Sequence, residues 1–456
     1  MKTLKQFLQP LTFIALVLLL SACNDDEPTV GEPDKSFVGA VYAMTNGNGQ
    51  IDGNVQAENR IVVFGRNADG TLERITRVST GGQGGDFDGG EGLDPLISAY
   101  ALTKTNDNEF LLAVNAGSNT LTSFRIEDDF NLAVSAIEPT NGIGPNSIAY
   151  TPSAVDGRNG LVYVANIARP EFAGTGEPEQ QGSIMGYWLQ DDGTLTPIAG
   201  SLRDLANRPS AVQFSPNGDY LVVASINAGS SALASNDENE IVVYAVNADG
   251  SLSAQPTAGA TSTLRDNNED RNLPSAIGFQ IVGDNYVVVT EAREFQPNGA
   301  PPAFPALQDG SVSTWQITPG GNLQAISLDV RAGINNTGRT ACWLDFSADG
   351  STFFVSNAIE AGLASFSFDN GRVELLDQVA AQGVGATGNT TDPQAAFGTT
   401  EGWIDLWISD DGNYLYQLHG LGGKIGIYRI EGDKLNFVDN VVGELPQTNV
   451  QGIVAI

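Results

Sequence analysis

The 456-residue chain carries 54 Asp and Glu against 22 Lys and Arg, a net charge of −32 with its one histidine neutral. That balance excludes nucleic acid and anionic surfaces as partners, since either needs neutralisation by Lys or Arg; its plainest cause is solubility in a salty or extracellular setting. The 53 glycines and the scarcity of long helical periods point to an all-β protein.

The first 22 residues read as a lipoprotein signal peptide. Lys2 and Lys5 form a basic start, and Leu11–Leu20 is too short to span a bilayer as a permanent helix. Leu20-Ser21-Ala22-Cys23 resembles a bacterial lipobox, in which the cysteine is acylated, typically with palmitate, once the peptide is cut. The plainer alternative is an ordinary secretory signal followed by a chance cysteine. An acylated Cys23 anchors a protein to the membrane without making it span. Asn24-Asp25-Asp26-Glu27 resembles the acidic tether of lipoproteins exported to the surface of the outer membrane, and residues 23–36 form a polar tether with nothing to pack. Cleavage would remove Lys2 and Lys5 and leave 434 residues with a net charge of −34. Cys342 is then the remaining thiol. It sits in the apolar run Cys342-Trp343-Leu344 and reads as a small core residue.

From Phe37 to Ile456 one pattern repeats, and Arg208–Ala258 displays it best. Four short β-rich runs, Ser210–Phe214, Tyr220–Ser225, Glu240–Val246 and Ser251–Ala258, are separated by turns such as Ser215-Pro216-Asn217-Gly218 and Asn247-Ala248-Asp249-Gly250. Four antiparallel strands of this kind make one propeller blade. The pattern begins in mid-blade: Gly39–Asn46, Arg60–Arg66 and Leu72–Ser79 match second, third and fourth strands with no first strand before them. Complete blades are expected at about Leu96–Glu138, Ser147–Ser201, Ser210–Ala258, Ser275–Val330, Ala341–Ala380 and Trp403–Val442. The lone strand Val450–Ile456 then supplies the missing first strand. The fold expected over 37–456 is a seven-bladed β-propeller, four antiparallel strands per blade, closed by its C-terminal strand so that no sheet edge is left bare.

Loop length singles out one face of this disc. Connections between first and second and between third and fourth strands are mostly short Asp-Gly turns, as at Asn67–Gly70, Asp191–Gly193, Ala348–Gly350 and Asp410–Gly412. The connections of the opposite face are long, including Asn46–Asn59, Asn166–Gly182, Ile226–Asn239, Glu291–Gly310 and Gln382–Gly402, and long loops in a compact fold commonly carry function.

Second strands end on a polar residue at a fixed place: Asn46, Asn115, Asn166, Ser225, Thr290, Asn357 and His419. Either these side chains close turns by bonding local backbone, or they form a ligand-binding rim around the channel. His419 stands in that series and can act as general acid or base near neutral pH, or be a turn residue. Glu291, beside the rim, can pair with Arg293 or act as a base. Arg208 and Arg339 precede first strands, where they can hold a carboxylate ligand bidentately or pair with the surplus acids. One histidine cannot build a histidine cage, and no CxxC, HExxH or CxxCH is present, so neither a metal site of those types nor a haem attachment is expected, and no cofactor is implied. The acidic loops Gly85–Glu91 and Asn267–Asp270 read as solvated, with carboxylate-held Ca²⁺ the alternative. No G-x-S-x-G elbow occurs, which argues against a hydrolase triad.

Ser215–Ala224 together with Val243–Leu252 resembles the blades of the seven-bladed lactonase propellers, the family of 6-phosphogluconolactonase and the 3-carboxymuconate-lactonising enzymes. The resemblance covers most of Phe37–Ile456. It implies a propeller and, by matching the family's Asn-Glu-Leu step to Thr290-Glu291-Ala292, an active-site role for Glu291. The family's Pro-Arg-His reads Pro274-Ser275-Ala276 in this chain, and Arg208-Pro209-Ser210 also lacks a histidine, so His419 and Arg339 would have to substitute. The expected function is accordingly an envelope-anchored, lactonase-like lipoprotein that binds a small-molecule or envelope ligand on its long-loop face. The alternative is an enzyme that opens or forms a lactone.

Overall fold

The computed structural model describes residues 36–47, 50–51, 54–55, 58–87, 93–168, 181–226, 240–257, 262–263, 275–292, 310–333, 340–358, 362–382 and 402–456. Cys23, Arg293, Arg339 and the acidic loop 267–270 lie outside these residues, as does most of 85–91.

Seven antiparallel sheets of four or five strands follow one another along the chain and form a propeller, and a two-stranded ribbon, Gln50–Ile51 with Asn54–Val55, stands apart from them. In the first blade the order is Ile453–Ala455, Gly39–Met44, Glu58–Arg66, Leu72–Gln83, so the end of the chain provides the innermost strand. The register is Val41 to Ala455, Tyr42 to Val454 and Ala43 to Ile453. The backbone N–H of Ile456 donates to the Ala40 carbonyl at 2.9 Å, and that of Met44 to Gly452 at 3.0 Å. Arg66, nearly buried, completes the seam: its Nε donates to the Ile456 carbonyl at 3.2 Å and its Nη1 meets Asp411 of the seventh blade at 2.8 Å.

The other first strands are Leu102–Lys104, Ile143–Pro152, Arg208–Phe214, Ser275–Val282, Ala341–Phe346 and Trp403–Ile408. Five of them, in blades three to seven, slip register near their start, between Pro145 and Ser147, Pro209 and Ala211, Ala276 and Phe279, Ala341 and Trp343, and Trp403 and Leu406. A bulge bends a strand and re-aims the extra residue. Side chains from these bulges then reach the next blade: Asn146 Nδ2 donates to Pro209 O at 2.8 Å, Ser210 Oγ to Ala276 O at 2.5 Å, and Asp405 Oδ2 accepts from Gly452 N at 2.7 Å. The remaining core lies between blades, where Phe64, Phe110, Phe124, Phe279, Phe353 and Tyr187 are buried.

Two expectations need correction. In the fourth blade the outer strand paired to Glu240–Ala245 is Ser262–Thr263, whereas the described part of the run Ser251–Ala258 forms no strand and is tied to the third strand by the bridge Leu252 to Val246 and by hydrogen bonds from Ser253 N to Ala245 O and Thr257 N to Val243 O. Ser251 and Asn247 belong instead to a turn closed by Asp249, which occupies the start of that run. In the second blade the first strand does not start near Leu96. It is confined to Leu102–Lys104, with the Ala101 carbonyl still accepting from Val114 N at 3.1 Å, and residues 96–100 leave the sheet.

Ile453, buried in the closing strand, gives a direct test of the seam. Ile453→Ala is expected to cost about 2–5 kcal/mol of unfolding free energy, and deletion of Val450–Ile456 should bare the edge of Gly39–Met44 and produce aggregates. Chemical denaturation and size-exclusion chromatography read the two outcomes.

Candidate functional site

Residues 96–101 fill the axis of the propeller at its long-loop end. The Ser98 carbonyl accepts Trp343 Nε1 of the sixth blade and Gln451 Nε2 of the first, both at 2.9 Å. Ser98 Oγ donates to Asn146 O of the third blade at 2.8 Å, and Ala99 N to Ser210 O of the fourth at 3.0 Å. The Tyr100 hydroxyl donates to Phe279 O of the fifth at 2.7 Å. Only a segment on the axis can reach five other blades at once. Ile97 and Tyr100 take left-handed φ values of 46° and 66°, rare for a β-branched residue and for an aromatic one, and these bonds hold them there.

The second-strand residues lie one strand out from the axis and are buried. Asn46 Nδ2 donates to Gly85 O at 2.7 Å. Asn115 joins two blades, accepting from Asn59 Nδ2 at 3.0 Å and Thr80 Oγ1 at 2.5 Å while donating to Thr120 and Thr122. Asn166 Nδ2 donates to Thr140 O at 3.3 Å and to Ser183 Oγ at 3.4 Å. Thr290 Oγ1 lies in the bulge of its neighbouring strand, against the Gly278 carbonyl at 2.9 Å and in short contact with the Cys342 carbonyl. Ser225 and Asn357 are equally buried, at the ends of Tyr220–Ile226 and Thr352–Asn357.

The residues nominated for chemistry stand on three blades. Glu291, in the fifth, accepts a 2.5 Å hydrogen bond from Ser311 Oγ. His419, in the seventh, packs its ring 5.0 Å from that of Trp403. Arg208, in the fourth, donates through Nη2 to the Leu96 carbonyl at 3.2 Å and thereby supports the axial segment. All three side chains are buried.

A second constellation, absent from the sequence reading, lies further along the axis. Asp405 accepts from Gly452 N and from Gln451 Nε2 at 3.2 Å, and burial pushes its carboxyl up to about 7. Asp345 accepts from Ile408 N at 2.7 Å, Phe346 N at 2.8 Å and Gln280 Nε2 at 3.0 Å, and burial raises it to about 6. The Tyr100 phenol between them is pushed well above its ordinary value, first by burial and then by the two carboxyls. The available signal was a lone carboxylate inside an apolar first strand in consecutive blades, Leu344-Asp345-Phe346 and Ile404-Asp405-Leu406. Beyond Tyr100 the axis opens, at the short-hairpin end, into a cavity of about 530 Å³.

Comparison with known proteins agrees with this architecture. Residues 56–168, from the first blade into the third, match the family model "Lactonase, 7-bladed beta-propeller". The chain resembles the seven-bladed β-propeller lactonases. A Bacteroides uniformis structure provisionally named a 6-phosphogluconolactonase aligns with TM-score 0.58 and 18% identity, covering 92% of this chain and 99% of that one. A Bacteroides fragilis structure under the same provisional name gives TM-score 0.56 and 16% identity over 93% and 100%. A hypothetical selenium-binding protein from Sulfolobus tokodaii reaches TM-score 0.58 at 11% identity over 92% and 93%. Equal likeness to differently named proteins fixes the fold of this lactonase-like propeller and leaves activity to its own residues. No curated protein matches it in sequence.

The two raised carboxyls set a pH dependence. Their folded values exceed the unfolded value near 4, so the folded state holds protons that the unfolded chain has released. Stability therefore falls as pH rises from about 4 through about 7 and levels off above. The turn carboxylates Asp69, Asp192 and Asp249, held low by the hydroxyl and backbone N–H two residues on, act in the opposite window: their contribution is lost only as pH falls below about 4. Asp405→Asn keeps an acceptor for Gly452 N and should reduce the loss of stability between about pH 5 and about pH 8 by roughly 1 kcal/mol or more, measured by denaturant midpoints at both values.

Proposed function

We propose that this protein is an envelope-anchored, lactonase-like β-propeller lipoprotein that binds a small-molecule or envelope ligand on its long-loop face without turning it over. The observation that carries the reading is the filling of the axis at that face by residues 96–101. A propeller enzyme of the lactone-opening type would need an open cavity there, with base, acid and arginine converging on one substrate. The Arg208 guanidinium is instead bonded to the axial segment, and the Glu291 carboxylate to a serine of its own blade. The second reading, a lactone-hydrolysing or lactone-forming enzyme, is favoured by the family resemblance and by Glu291 following Thr290 at the end of its strand.

The lipobox and the acidic tether supply the anchoring part of the proposal. Cys23→Ser is expected to abolish metabolic labelling with palmitate and to move the protein from the membrane to the soluble fraction. For the catalytic question, a panel of sugar and muconate lactones is incubated with the Asn24–Ile456 fragment. The expected result is hydrolysis no faster than buffer. Turnover by the wild type that falls by about 100-fold or more in Glu291→Gln or His419→Asn would establish the enzyme reading instead.

A further inference from the structure

Beside Asp405 the axial segment and the first strands enclose a second, much smaller cavity of about 10 Å³, with Tyr100, Trp343, Trp407 and Gly452 among its walls. A space of that size holds one water-sized body. Neither the family resemblance nor the proposed function gives it a role.

Asp405 is 5% exposed, and among the described residues no Lys, Arg or His pairs with it. Both of its donors, Gly452 N and Gln451 Nε2, meet Oδ2. Oδ1 meets no donor among the described residues and is left for whatever the cavity holds. A buried carboxylate without a positive partner is costly to ionise. Its titratable neighbours give no relief: the Tyr100 phenol donates to Phe279 O, Asp345 is itself an acid, and Lys104, on the far side of Asp345, is drawn to Asp410 at 3.0 Å. The charge of Asp405 is therefore balanced either by a proton or by a small cation in the cavity. Divalent ions need six or more oxygen ligands or several retained waters, which this space does not supply. A monovalent ion asks for less, and the aromatic side chains of Tyr100, Trp343 and Trp407 are groups that attract cations. Supply is favourable too. Tyr100 and Trp407 are walls both of this space and of the cavity that opens at the short-hairpin end. The hairpins around that opening carry Asp107, Asp219, Asp284, Asp349 and Asp410, and a cleft ringed by one sign of charge concentrates counter-ions.

We propose that the cavity beside Asp405 is a site for one monovalent cation of water's size, potassium or ammonium, held by Asp405 Oδ1 and exchanging with the proton of the same carboxyl. The inference makes no use of the long-loop reading. The ion binds only the ionised carboxyl, so its occupancy rises as pH passes through about 7. It stabilises the folded state above that value and offsets there the loss that ionisation brings. Because Oδ2 holds Gly452, an ion on Oδ1 also braces the closing strand.

The test measures the melting temperature of the full-length protein in detergent, in about 0.1 M potassium or ammonium chloride, against tetramethylammonium chloride at the same ionic strength. The tetramethylammonium ion is too large for the cavity. At about pH 8 potassium or ammonium is expected to raise the midpoint by about 1 °C or more over that reference, and the larger shift names the better-fitting ion. At about pH 5, and in Asp405→Asn at both values, the three salts are expected to give one midpoint. The proposal is overturned if both ions give a smaller shift at the higher pH, or if a shift of that size persists at the lower pH or in Asp405→Asn. A second measurement needs no variant. Anomalous scattering from wild-type crystals soaked in rubidium, a heavier ion of similar size and charge, is expected to show a peak in contact with Asp405 Oδ1, and a bare cavity in those crystals overturns the proposal.

Discussion

The structure depends on a belt of hydrogen bonds that runs around the axis from one first strand to the next. A propeller blade is a twisted sheet whose flat faces pack on its neighbours through apolar side chains, an attraction with no directional preference. Such packing sets the spacing of blades and says little about how many close the ring. Directional contacts at the bulges supply that information: Asn146 to Pro209, Ser210 to Ala276, and Asp405 to Gly452 each tie one blade to the next at a fixed height. The last of these spans the junction between the two ends of the chain. Asp405 and Arg66 therefore grip the terminal strand from both sides, by Gly452 and by Ile456. Ring closure costs chain entropy that grows with the residues enclosed, and the hydrogen bonds that Asp405 and Arg66 make at the seam offset part of that cost.

The same belt explains why the axis is filled. Bulges turn polar side chains and carbonyls inward at the long-loop end, where seven converging strands would bury them without partners. The segment 96–101 answers this demand by offering the Ser98 carbonyl to Gln451 and Trp343, the Ser98 hydroxyl to the Asn146 carbonyl and the Ala99 N–H to the Ser210 carbonyl. The second blade bears the consequence, since its first strand shrinks to Leu102–Lys104. Local strain at Ile97 and Tyr100 is accepted because the alternative is a set of orphaned groups, each costing about 1–3 kcal/mol.

Much of this fold was legible from sequence because its signals are local. Turns such as Asn67–Gly70 combine an Asp whose carboxylate caps the residue two places on with a glycine at φ 87°, and such chemistry is written in consecutive residues. The lone run Val450–Ile456 betrayed the closure because it had no partner nearby. The axial segment was hidden for the opposite reason. Leu96–Ala101 mixes small and apolar residues like the start of a first strand, and only contacts with five other blades divert it. Asp345 and Asp405 were hidden because alternation in a strand makes a single polar residue look solvent-facing, whereas in a propeller both faces of a first strand are enclosed. The second-strand asparagines raise the same difficulty. Their regular spacing signals a repeated structural need as readily as a binding rim, and Asn115, with four side-chain hydrogen bonds inside the protein, shows how completely the chain can use such a residue.

The two ends of the axis are therefore chemically unlike, and the difference follows from strand geometry. At the long-loop end the bulges bring backbone groups inward, and the chain satisfies them with its own segment, leaving Arg208 as a buttress. At the short-hairpin end the strands splay regularly, no bulge intervenes, and side chains alone line the opening. There the chain spends its polar groups on itself, with Asp345 surrounded by donors, Lys104 drawn to Asp410, and Gln213 accepting from Ile281 N.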